Sequence, residues 1–117
     1  MQTTTKRDAI LDQVKDADIN IQCLPEDMPY IGNCSAISEC IDKENEAWIT
    51  DQLESGNQWA WCLVKVSVTF MGITKDEYLG GCSYTDEDCF IACDYYSDMV
   101  DQCQESIVDQ IVKIQAV

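Results

Sequence analysis

The strongest strand pattern along the chain is an alternation. Ala60, Cys62, Val64, Val66, Val68 and Phe70 occupy every second position from Gln58 to Met71, the period of a strand with one buried face. Trp59, Trp61 and Leu63, then Lys65, Ser67 and Thr69, fall on the other face. A turn is expected at Gly72-Ile73-Thr74-Lys75, followed by a second strand over about Glu77 to Tyr84. Gly80-Gly81 within it suggests a bulge or a close backbone approach.

Helical periodicity flanks this hairpin. Thr5 to Ala17 reads as a first helix with Ile10, Leu11 and Val14 on one side. A short extended piece, Ile19 to Leu24, ends at Pro25, and Pro29, Gly32 and Asn33 mark a loop. Ser35 to Leu53 is expected as a helix. Ile37, Ile41 and Trp48 share a face, Cys40 and Ile49 flank it, and Gly56-Asn57 stops the helix. Thr85 is positioned to cap a short helical piece, Asp86 to Ala92, that breaks near Cys93-Asp94. A long helix from about Tyr95 to Ile114 closes the chain. These elements predict an α+β fold in one domain spanning 1–117: a small antiparallel sheet, central hairpin plus short strand, packed by two to four helices.

Charge changes the picture most. Seven basic residues face 22 acidic ones over 117 residues, a net charge of −15. Lys6, Arg7 and Lys15 cancel Asp8, Asp12 and Asp16 in the first segment, so the remainder carries the whole excess. Such a field repels phosphate backbones and anionic lipid and attracts basic surfaces. Direct binding of nucleic acid or membrane is not expected. Net charge also keeps a small protein soluble, and that reading stays open.

In the last helix, charge and periodicity coincide. Tyr95, Met99, Cys103, Ile107 and Ile111 recur every fourth residue as a buried seam. Asp94, Asp98, Asp101, Glu105 and Asp109 recur at spacings of four, three, four and four. At 3.6 residues per turn they stay within about 80° of one another, with axial steps of ~4.5–6 Å. Phosphates along one nucleic-acid strand repeat on that scale, so the row fits a groove of Arg and Lys built for a phosphate backbone. Exposed helices usually intersperse cations for i,i+4 support, and lined-up carboxylates cost a few tenths of a kcal/mol per pair. A merely solvated acidic face is the alternative. Trp59 and Trp61 are candidate anchors for a partner, or core.

Little else suggests chemistry. There is no histidine, which removes the usual general base and His-dependent nucleophile systems. No phosphate loop, dinucleotide fingerprint or calcium loop is present. The expectation is that the chain is not an enzyme and needs no cofactor.

The cysteine spacings Cys34-x5-Cys40, Cys82-x6-Cys89 and Cys89-x3-Cys93 include no C-x2-C, and small buried thiols are expected rather than metal ligands. A cysteine-ligated metal module is nonetheless an alternative function. With no apolar leader visible, the eight cysteines are expected to stay reduced; disulfides in an exported form are the alternative. Asn33-Cys34-Ser35 then matches a glycosylation acceptor by chance.

Three stretches, Gly56-Asn-Gln-Trp-Ala-Trp-Cys-Leu-Val-Lys-Val, Asp76-Glu-Tyr-Leu-Gly-Gly-Cys-Ser-Tyr and Asp94-Tyr-Tyr-Ser-Asp-Met-Val, resemble small acidic accessory proteins of bacteriophages and mobile elements. Leu24-Pro25-Glu26-Asp27 adds a further echo. The resemblance implies a phage-derived protein in a bacterial cytoplasm and supplies no catalytic residue. With the acidic row, it leads to an expected inhibitor of host defence, such as a CRISPR or restriction complex, that mimics DNA on a basic nucleic-acid-binding surface. A phage accessory or structural protein, homodimeric and acidic only for solubility, is the alternative.

Overall fold

The computed structural model describes residues 6–32 and 39–115, with the backbone alone for 39–43. It is an α+β fold: α1 (Lys6–Val14), β1 (Asp18–Leu24), α2 (Glu39–Glu54), β2 (Cys62–Phe70), β3 (Ile73–Cys82), α3 (Glu87–Ile91) and α4 (Asp94–Gln115). The strands form one antiparallel sheet in the order β1-β2-β3. Tertiary contacts divide the chain at Ile21/Gln22, Lys65/Val66, Glu77/Tyr78 and Cys93/Asp94, giving one unit with α1 and α4 and another with α2 and α3.

In the unit of α1 and α4, the inward face of β2 supplies Val66 and Val68, α1 supplies Ile10 and Val14, and α4 supplies Met99, Val100, Cys103, Ile107 and Val108, all buried. The Cys103 thiol donates to the Val66 carbonyl at 3.7 Å, and burial pushes this thiol up to about 11. The hairpin turns on Met71-Gly72, with φ of 50° and 79°. Two residues at positive φ make the turn whose twist matches the strands. It lies earlier than the expected Gly72–Lys75 because methionine is a poor sequence signal for a left-handed position. Across it the Thr69 and Thr74 hydroxyls meet at 2.9 Å.

In the other unit, Ile49, Ala60, Cys62, Val64, Cys82 and Phe90 are buried. The expected strand start at Gln58 is corrected: residues Gln58–Ala60 form one 3-10 turn. Asn57 explains it. Its side-chain oxygen accepts the Trp59 N–H at 3.3 Å, while its amide donates to Gln52 and to the Thr85 carbonyl, each at 3.0 Å. One residue thus ties together the end of α2, the turn and the approach to α3. The α3 cap is Asp86 rather than Thr85, accepting from the Cys89 N–H at 2.8 Å.

The face of α2 also differs from expectation. Ile49 is buried and Trp48 exposed; Thr5, Cys34, Ser35 and Ile37, and the side chains of Cys40 and Ile41, lie outside the described residues. The loop before α2 sets the register, through Tyr30 and Thr50 hydroxyls 2.6 Å apart and a Gly32 N–H donated to Glu46 at 2.8 Å.

The expected close approach at Gly80-Gly81 is present. Gly81 has φ of 63° and donates its N–H to the Glu26 carboxylate at 3.1 Å. A Cβ there would lie 3.2 Å from the Met28 terminal methyl and 3.5 Å from the Trp61 ring. Gly81→Ala is therefore expected to cost about 1–3 kcal/mol, from a left-handed backbone and crowding together. A urea-unfolding midpoint equal to wild type is the contrary result.

Candidate protein-binding surface

Helix α4 runs unbroken from Asp94 to Gln115, so helical spacing applies to the whole acidic row. Asp94, Asp98, Asp101, Glu105 and Asp109 are all exposed. Their fifteen-residue separation spans ~22 Å at 1.5 Å per residue. Asp94 lies in the first turn, where the helix dipole favours a carboxylate, and Lys113 in the last turn complements the other end. The expected seam is present at Met99, Cys103 and Ile107, but Tyr95 at its start is exposed.

The buried arc is wider than the seam. Val100, Gln104 and Val108 are buried as well, because α1 packs along a second flank of α4. This brings cations to the edge of the acidic row. Arg7 pairs with Asp109 at 2.8 Å, and Lys15 lines a shallow depression of about 210 Å³ with Leu11, Asp101, Gln104 and Glu105. Both partners of the Arg7–Asp109 pair are substantially exposed, so it contributes little to stability. Its effect is on the field, which α1 offsets beside Asp101, Glu105 and Asp109. Arg7 and Lys15 escaped the sequence reading because α1 looks neutral taken alone. Lys15 follows the end of α1 at Val14, and eight residues of helical turn put it about 80° from Arg7, near enough to share a side of the segment.

Trp59 and Trp61 belong to the other unit, where both are half-buried and engaged. Trp59 stacks on Phe90 with ring centroids 5.8 Å apart. The indole N–H of Trp61 donates to the Met28 carbonyl at 2.7 Å, and its ring meets Tyr30 edge-on at 6.3 Å. These internal contacts give both rings a structural role within this unit.

The thiols have structural surroundings. Cys23, Cys62, Cys82, Cys89, Cys93 and Cys103 are unbridged. Burial first, then the neighbouring Cys23, pushes Cys62 far above the usual thiol range; burial pushes Cys82 up to about 11. Among the described residues no group of three or more Cys, Asp or Glu is placed to hold a metal ion. Since the thiolate is the reactive form, Cys89, which is exposed, is expected to be alkylated by iodoacetamide at pH 8 well before Cys62, Cys82 and Cys103. Mass spectrometry of the native protein checks this; equal labelling of all four would contradict it.

Among the described residues no helix is long and apolar enough to cross a membrane. No family model, no curated protein and no solved structure matches the chain.

Proposed function

We infer that this chain is a non-enzymatic acidic inhibitor that lays the α4 carboxylate row into a basic, nucleic-acid-binding surface of a host defence protein. The observation that carries the reading is the unbroken helix with five exposed carboxylates on one side and no cation before Lys113. Such a helix presents negative charge at phosphate-like intervals on a rigid rod. It therefore needs no ordering on binding, which lowers the cost of association. The setting that fits is a phage-derived protein in a bacterial cytoplasm, acting on a CRISPR or restriction complex as a DNA mimic.

The row is uneven. Arg7 and Lys15 offset the charge beside Asp101, Glu105 and Asp109, so the strongest field is expected at the Asp94–Asp98 end. The test is capture from bacterial lysate at low and high salt, comparing wild type with Asp98→Lys/Asp101→Lys/Glu105→Lys. A nucleic-acid-binding protein held at low salt, released at high salt and missed by the triple variant supports the reading. Capture that ignores both salt and the substitutions overturns it.

A further inference from the structure

At one end of the α1–α4 unit the hairpin turn stands beside the last turn of α4. Ile10 of α1, Phe70, Met71 and Ile73 around the turn, and Ile111 and Ile114 of α4 surround an open groove of about 400 Å³. Gln13 and Gln115 complete the lining, so none of it is charged, in a chain with 25% charged residues. No carboxylate follows Asp109 in α4, and none lies between Thr69 and Lys75. Two of the apolar side chains stand well out of the surface: Met71 is 82% exposed and Ile114 60%.

Met71 is the more telling of the two. Its φ of 50° places a long apolar side chain in a backbone region suited to glycine or asparagine. The turn would form more readily with Asn at this position, and the protein would expose less apolar surface. A strained position occupied by an exposed apolar residue points to a use for that side chain.

We propose that this uncharged groove is a self-association surface, in which Met71 and Ile114 of one copy pack into the groove of a second copy about a two-fold axis. Charge selects this occupant. A copy carrying −15 repels another −15 wherever carboxylates face each other, and a strongly basic partner gains nothing from a patch without charge. Two copies can approach closely only where both surfaces are neutral. The hairpin turn and the side of α4's last turn that carries Ile111, Ile114 and Gln115 form such a surface, with Lys113 the one charge of that helical turn, and a two-fold contact uses it twice. The proposal is independent of the acidic row, and its salt dependence has the opposite sign. Added salt screens repulsion between two acidic chains and favours the dimer, whereas it weakens docking on a basic target.

The experiment is sedimentation equilibrium of the full chain at low and at ~0.5 M salt, the latter beyond the range where exposed charges interact strongly. Wild type is expected to show a monomer–dimer equilibrium that shifts toward dimer at the higher salt. Met71→Asn and Ile114→Glu are each expected to raise the dimer dissociation constant at least about tenfold, since each change is made on both sides of a two-fold contact. Met71→Asn keeps the outcome interpretable, because asparagine suits the turn and its melting temperature should not fall. A wild type that remains monomeric at both salt concentrations overturns the proposal, as does a dimer that both variants leave intact.

Discussion

Phe90→Ala is expected to lower the unfolding free energy by about 3–5 kcal/mol, the usual range for removing a buried phenylalanine. Phe90 is fully buried, with Trp59 stacked 5.8 Å away and Tyr84 edge-on at 5.3 Å. Truncation leaves a void between two rings that are held from elsewhere. Asn57 fixes the backbone beside Trp59, and the Tyr84 N–H donates to the Trp59 carbonyl at 2.7 Å. The site therefore collapses poorly, and poor collapse is what places a cavity mutant at the costly end.

Helix α3 has five residues, too few to persist without tertiary contacts, so it is expected to loosen with the same substitution. Against a typical domain stability of ~5–15 kcal/mol, the loss is a large fraction. Guanidinium unfolding followed by tryptophan fluorescence and near-ultraviolet circular dichroism measures it. Phe90→Leu, which keeps most of the volume, should recover much of the stability. A loss under about 1 kcal/mol for the alanine variant would mean that the aromatic cluster is not a core.

Most of this architecture was legible in the residues, for a physical reason that also explains the errors. Side chains that repeat at the period of their own element announce it. Val64, Val66 and Val68 alternate and are buried; Met99, Cys103 and Ile107 recur every fourth residue and are buried. The misreadings arose where a residue's environment is set by chain distant in sequence. Trp48 and Ile49 are neighbours, and α2 alone cannot say which faces inward; Tyr30 and Gly32, reaching back to Thr50 and Glu46, set the orientation. Trp59 fits the alternation but sits in a turn, because Asn57 caps it. The acidic row was visible as spacing, whereas the approach of Arg7 and Lys15 to it depends on how α1 docks. Gly80-Gly81 was recognisable as a close approach, but Glu26 as its partner was not.

That docking shapes the second large expectation, on binding rather than stability. Asp98→Lys/Asp101→Lys/Glu105→Lys turns three carboxylates into ammonium groups and moves the net charge from −15 to −9. If each contact with a basic groove contributes about 1 kcal/mol, the triple change weakens target binding at least ~100-fold, since 1.4 kcal/mol is a factor of ten. All three positions are exposed, and the new cations at 98 and 105 gain Asp94 and Asp109 as opposite-charge neighbours four residues away, which offsets their repulsion of one another and of Lys15. The melting temperature should therefore hold.

Net charge alone must be separated from the row. Asp51→Lys/Glu54→Lys/Asp88→Lys makes the same change at exposed positions of α2 and α3, and is expected to slow association modestly while leaving the complex tight. Arg7→Gln supplies the opposite sign. It frees Asp109 from its 2.8 Å partner, so binding should tighten by a factor of about two to five, the equivalent of ~0.4–1 kcal/mol for an exposed ion pair. Equal losses for the two lysine triples would mean that the target responds to overall acidity. Their divergence, together with tightening by Arg7→Gln, would place the interaction on one side of α4 and leave little room for a solvated face as its explanation.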